Sequence, residues 1–244
     1  MKGQPITNRN STMRRFGSLI DRQWSDSLPI GVFLISHPNG PILFDTGESP
    51  HVNDPGFKPF WSPIGMFSTT DIGPEDGIVQ QLKANGVEPK DLQAIVLSLG
   101  CWIWSLRRQT SLYIWPDPFE PRTLDFSDGP VGPWKQSAKI SPDGRIVAIP
   151  SPGHVPGHMS LIVYGPSSDG VETTYLLPGD VAYGIDVLDK EEPDGINGDP
   201  IGALENLKLL KEFAKKTEVV VLPSHDPDTP QLLKDRVIYK LKSV

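Results

Sequence analysis

The chain has 244 residues, with 23 Lys and Arg against 30 Asp and Glu and a single cysteine. That length suits one domain, spanning 1–244, with a hydrophobic core that needs no covalent staples. Cys101 alone excludes an internal disulfide framework and fits a reducing, cytoplasmic setting. A net charge of −7 with no dense basic run argues against nucleic-acid binding. Met1–Ser11 is polar and no apolar run approaches bilayer length, so neither a secretion signal nor a membrane span is expected.

In chain order, Gly31–His37 and Pro41–Asp45 flank a Pro38-Asn39-Gly40 turn and predict a β-hairpin. Glu75–Asn85 places Ile78 and Leu82 at helical spacing, with Gly86 as the stop. Gln93–Ser98 then predicts a buried strand. Further strands are expected at Arg145–Pro150, Met159–Tyr164 and Thr173–Leu177. Asp199 and Pro200 form an N-cap and a first helical residue for a helix through Leu204, Leu207, Leu210 and Phe213. Glu218–Leu222 is nearly all branched aliphatic, as in a strand covered on both faces. A last helix is expected from about Thr229 to Leu241. Two packed sheets with helices outside satisfy this order. An α/β barrel competes, and the hairpin signals argue against it.

Four segments carry polar residues where an apolar strand ends. In Phe44-Asp45-Thr46-Gly47-Glu48, Asp45 either caps the loop backbone or stands behind a metal ligand and supports it. Pro152-Gly153-His154-Val155-Pro156-Gly157-His158 cannot be helical, because its prolines pin a rigid loop. A ring held there loses little freedom on binding a cation, although one structural and one surface histidine would read the same. In Leu177-Pro178-Gly179-Asp180, the carboxylate either bridges two cations or caps a turn. Tyr183 either packs or donates a hydrogen bond to a developing oxyanion. Val221-Leu222-Pro223-Ser224-His225-Asp226-Pro227 brings a further histidine to a strand end. Three strand ends thus present His154, Asp180 and His225, and ligand sites favour that edge of a sheet.

FDTGE at 44–48, SPGHVPGH at 151–158, PGDVAY at 178–183 and PSHDP at 223–227 stand in the order seen in metallo-β-lactamase-fold hydrolases. With TGESPHVNDPGFKP at 46–59 and DFSDGPVGP at 125–133, the chain resembles the acyl-homoserine-lactone lactonase branch of that superfamily over about Met13 to Leu233. The resemblance implies an α+β fold, an αββα sandwich of two mixed β-sheets flanked by helices, with a site between the sheets. It also implies two zinc ions and hydrolysis of a small lactone or related ester. Dimers occur among such lactonases, so a homodimer is expected. Carried over by residue, His154 and Asp180 would bind one zinc, and Asp180 would bridge to a second zinc held by His225. Tyr183 would stand near the substrate carbonyl, and His158 would be structural.

The resemblance breaks after the strand Ala94–Ser98. Where the family has His-x-His-x-Asp-His, this chain reads Leu99-Gly100-Cys101-Trp102-Ile103-Trp104, so four of the seven expected protein ligands change identity. Cys101 either supplies a thiolate in place of a histidine or is a small buried hydrophobe. Ile103 replaces the aspartate that would help activate the attacking water. The chain therefore reads as a lactone hydrolase with impaired chemistry, or alternatively as a non-catalytic scaffold that binds a small ligand or partner through the old pocket. So clustered a departure, around 99–116, points to a skipped or misread coding segment. Sequencing the transcript is expected to recover additional or differently framed codons there; an uninterrupted message encoding Leu99–Tyr113 would defeat that explanation.

Overall fold

The computed structural model describes residues 26–57, 69–99, 122–166, 170–193 and 197–241. The altered stretch at 99–116 falls outside them from residue 100 onward, and with it Cys101, Ile103 and the tryptophans beside them. The described residues form two sheets. The first joins β1 (Phe33–Ile35), β2 (Ile42–Phe44) and β3 (Ala94–Val96) in the order β1-β2-β3. The second joins β4 (Ala138–Lys139), β5 (Ile146–Pro150), β6 (Met159–Pro166), β7 (Glu172–Leu177) and β8 (Val219–Val221) in chain order. Each sheet is mixed, because β2–β3 and β7–β8 are parallel and the other pairs antiparallel. The antiparallel pairs rule out the α/β barrel.

Strand alternation builds the layers. From β7 and β8, Leu177 and Val220 face the first sheet and join Ile42, Phe44, Val96, Ala148 and Leu161 in an inter-sheet core. Their neighbours Leu176, Val219 and Val221 face the other way, with Ile149 and Ile162, onto Leu207, Leu210 and Phe213. Those three residues belong to α3 (Pro200–Lys216), which Asp199 caps by accepting the Ile201 and Gly202 N–H groups at 3.1 Å each. The remaining helices are α1 (Ile78–Ala84), α2 (Ile185–Lys190) and α4 (Thr229–Asp235). The fold is α+β, an αββα sandwich, as the motif order implies.

Two expectations need correction, and two elements had none. The last helix ends at Asp235, not Leu241, because Arg236 takes a left-handed φ of 50° and the chain turns extended. Tyr239 then donates its N–H to Val219 O at 2.8 Å, so β8 captures a segment that helical spacing alone would continue. The strand expected at Gln93–Ser98 is shorter and covered on one face only: Val96 is buried, whereas Ile95 is 53% exposed. Helix α2 and strand β4 had no clear signal, since six and two residues carry too little periodicity.

At the end of the sandwich opposite the motif-bearing strand ends, His37 from the β1–β2 turn meets Asp143 from the β4–β5 turn, Nε2 to Oδ2 at 3.2 Å. The His37 side chain is only 5% exposed. Ser141 Oγ and the Arg145 N–H also donate to Asp143, and with His37 they hold its carboxyl down at about 2, against burial that works weakly the other way. A depressed carboxyl pKa contributes stability above the unfolded value near 4 and loses it as the pH falls toward 2. Asp143→Asn is therefore expected to leave stability at neutral pH less sensitive to acidification, with the parent-to-variant gap closing between pH 4 and 2; a gap constant with pH in acid titrations followed by circular dichroism would contradict this.

Candidate active site

The candidate residues reach one place because β2, β3, β5, β7 and β8 end at the same edge. Asp45 follows β2 with a left-handed φ of 62°, a conformation Asp tolerates better than most residues. From there its Oδ1 accepts the Ser98 N–H at 2.7 Å, just beyond β3. Burial raises the Asp45 carboxyl to about 6, against the Ser98 hydrogen bonds that lower it; the Asp180 charge adds to the rise and that of His225 opposes it. Asp45 thus caps the backbone just beyond β3, the first of its two sequence readings, and anchors the strand that leads into the altered segment.

Asp180 lies at the centre. His154 Nε2 is 3.3 Å from its Oδ2 and His225 Nε2 is 3.1 Å from its Oδ1. One imidazole therefore meets each carboxylate oxygen. Burial works against the charge on Asp180, but the His225 hydrogen bond and the charges of His154, His225 and His158 prevail and lower its pKa. Burial likewise works against a charged His225, yet its hydrogen bond to Asp180 and that carboxylate's charge raise it. His225 Nδ1 donates to Pro29 O at 2.7 Å, so a neutral ring would aim the Nε2 lone pair at a carboxylate oxygen. A positive charge must stand between them, either a proton or a cation. Tyr183 packs beside both rings, 4.6 Å from that of His225 in an edge-on arrangement and 6.0 Å from that of His154.

The loops that carry these groups are held through their backbones. Gly198 N–H donates to His154 O and Asp199 N–H to Gly153 O, each at 2.8 Å, so the start of α3 clamps the His154 loop. Gly153 has a φ of 143°, and a side chain there would strike the Ala203 backbone. Asp226 accepts the Ile185 N–H at 2.9 Å and the Asp228 N–H at 2.9 Å, tying the His225 loop to the helix that follows Tyr183.

His158 occupies a different role from His154. Its Nε2 accepts the Asp180 N–H at 3.0 Å, and its Nδ1 lies 2.9 Å from Ser151 Oγ. Ser160 Oγ donates to Pro178 O at 2.9 Å, so Ser151 Oγ must donate to Ser160 Oγ at 2.8 Å and accept from His158 Nδ1–H. The ring is thereby fixed as neutral with the proton on Nδ1. Burial agrees, pushing the His158 pKa down to about 4 against the opposing pull of Asp180. Ser151 and Asp226 stood inside singled-out motifs without a role, whereas Ser160 and Pro29 gave no signal as supports, since their partners are 18 and 196 residues away.

The fit to zinc is incomplete. Two ligands on one tetrahedral zinc lie about 3.3 Å apart, so spacings of 3.1 and 3.3 Å suit a shared cation as well as a hydrogen bond. The donor count decides: each oxygen of Asp180 has one imidazole, and among the described residues no group of three or more His, Cys, Asp or Glu side chains is placed to hold a metal ion. His154 Nδ1 is moreover buried without a hydrogen-bond partner among these residues, where a ligating histidine ordinarily anchors its second nitrogen.

The sandwich of two mixed sheets, with two imidazoles and a carboxylate at its strand ends, has the metallo-β-lactamase fold. A solved structure of an AiiA variant from Bacillus thuringiensis, with N-decanoyl-L-homoserine bound at its active site, superposes with a TM-score of 0.63 at 24% identity, covering 84% of each chain. No family model matches the chain. In sequence, it is 30% identical over 219 residues to the N-acyl homoserine lactonase AiiA of Bacillus thuringiensis subsp. kurstaki, covering 82% of each. It is 28% identical over 225 residues to the N-acyl homoserine lactonase AttM of Azorhizobium caulinodans, covering 82% of this chain and 83% of that protein. The chain belongs to the N-acyl homoserine lactonase family.

Removing the Ser151 hydroxyl would leave the buried His158 Nδ1–H without an acceptor, which costs about 1–3 kcal/mol. Urea unfolding of Ser151→Ala is expected to show a loss of that order; unchanged stability would mean that the relay does not hold Asp180.

Proposed function

We propose that the pocket at the edge of the two sheets derives from a lactone-hydrolysing site and that in this chain it turns over a lactone or related ester at or near the uncatalysed rate. One observation carries the reading: Asp180 gives one oxygen to each of two imidazoles, and neither pair gains a third donor among the described residues. A zinc ion that activates water uses three protein ligands and keeps a fourth position open. With His154 and Asp180 on one side, and Asp180 and His225 on the other, the pocket holds at most one zinc, and loosely. When bound, zinc would supply polarisation of the ester carbonyl and a water of lowered pKa.

The chain's own residues supply the rest. Tyr183 packs on both imidazoles, from where its hydroxyl suits donation to the oxygen on which charge develops. The clamped 151–158 and 223–227 loops hold the pocket walls. What is missing is the acid that would position the attacking water, since Ile103 stands in its place; losing proton-handling groups of that kind typically costs 10²–10⁴-fold, taken here as an order-of-magnitude guide. A second reading, a scaffold that binds a small ligand without transforming it, is favoured by the intact backbone support beneath an incomplete donor set.

Elemental analysis of zinc-supplemented full-length protein is expected to find no more than one zinc per chain, and homoserine lactone hydrolysis should sit near background. Two zinc ions per chain with ordinary enzymatic turnover would overturn the proposal. Binding of an opened-ring homoserine product without turnover would favour the scaffold reading. Cys101→Ala should contain as much zinc as the parent; a lower content would place the Cys101 thiolate among the ligands.

A further inference from the structure

The segment ahead of β1 touches the pocket from the opposite sheet. Pro29 O accepts the His225 Nδ1 proton at 2.7 Å, and two residues on, Gly31 N–H donates to Ser224 O at 2.7 Å. A Cβ at Gly31 would lie 2.7 Å from Ser224 O, 3.2 Å from its Cα and 3.3 Å from its carbonyl carbon. All three are backbone atoms of the loop that β8 feeds, so no side-chain motion could relieve the overlap. On the other side, Gly47 in the turn after Asp45 is close enough that a Cβ there would meet Val32 Cγ2 at 3.2 Å. Residues 29–32 are thus seated between the His225 loop and the Asp45 turn.

We propose that Pro29–Gly31 is a positioning strap for His225, in which the Pro29 carbonyl fixes the ring orientation and Gly31 permits the approach that makes this contact. An imidazole can flip about its χ2 bond, which puts Cδ2 in the place of Nδ1 and Cε1 in the place of Nε2; an acceptor locked onto Nδ1 removes that freedom and leaves Nε2 facing Asp180. The acceptor here is a backbone oxygen, so its place depends on the path of the chain and not on the identity of residue 29. That path is set by the pair of contacts at residue 31. The strap continues directly into β1 of the three-stranded sheet, whereas His225 follows β8 of the five-stranded sheet, so the contact registers one sheet against the other at the pocket. It rests on these contacts alone and holds whether or not a cation is bound, so it fails separately from the proposed function.

Heteronuclear NMR of the imidazole nitrogens in the full-length, zinc-free protein tests the strap, with His225→Gln supplying the assignment. The parent is expected to show a His225 Nδ1 proton protected from exchange. Gly31→Val should lose that resonance while keeping the Nδ1 proton of His158, which a general loosening of the fold would also remove. Ile30→Ala, which trims a side chain 47% exposed and keeps the same backbone, should retain both. Where Gly31→Val does not fold, Gly31→Ala carries the same steric test. Absence of the His225 Nδ1 proton in the parent, or its persistence in the folded Gly31 variant, would overturn the strap.

Discussion

A largely buried carboxylate with an imidazole on each oxygen is the constraint around which this protein is arranged. Taken from water alone, an ionised Asp180 would be costly, and its proton would return. Two rings at 3.1 and 3.3 Å, one on each oxygen, reverse that balance and keep the group anionic. Because the rings arrive from different strands, β5 and β8 must end at the same level as β7. The five-stranded sheet, with its long antiparallel β5–β6–β7 run and the parallel β8 beside it, delivers them there.

Little of the precision comes from the three side chains themselves. Asp180 is set by what holds its backbone: His158 on its N–H, Ser160 on Pro178 O, and the Gly179 turn, whose φ of 57° brings the chain against the His158 ring. His154 is set by the start of α3, and His225 by Ser224, Pro29 and Asp226. Each support is a hydrogen bond between elements distant in sequence, in a place where an unmet buried polar group is expensive. The pocket has therefore kept the scaffold of a family enzyme although the donors that would complete its metal site are not among its described residues.

That combination sets fold and chemistry apart. The layers depend on strand alternation, as Leu176 and Leu177 or Val219, Val220 and Val221 show by facing opposite cores. None of these core residues belongs to the altered stretch at 99–116. Hydrolysis depends on donor number, which the strand alternation that builds the cores does not set. A lactonase fold and the weak hydrolysis proposed above are compatible in one chain for this reason.

The sequence by itself determined the family, the sandwich and the residues at its active edge. Strands written in branched aliphatics, an Asp199-Pro200 helix start, and four short motifs that carry a His or Asp are local signals, legible within a few residues. It also separated His154 from His158 through the resemblance. Only the tertiary structure decided which oxygen of Asp180 each ring meets, where the protons of the His158–Ser151–Ser160 relay lie, and that Pro29 orients His225 across 196 residues. The early end of α4 belongs to the same class, since Tyr239 joins β8 instead of extending the helix. Such outcomes depend on hydrogen bonds between residues far apart in the chain, and no periodicity or spacing along one segment can encode them.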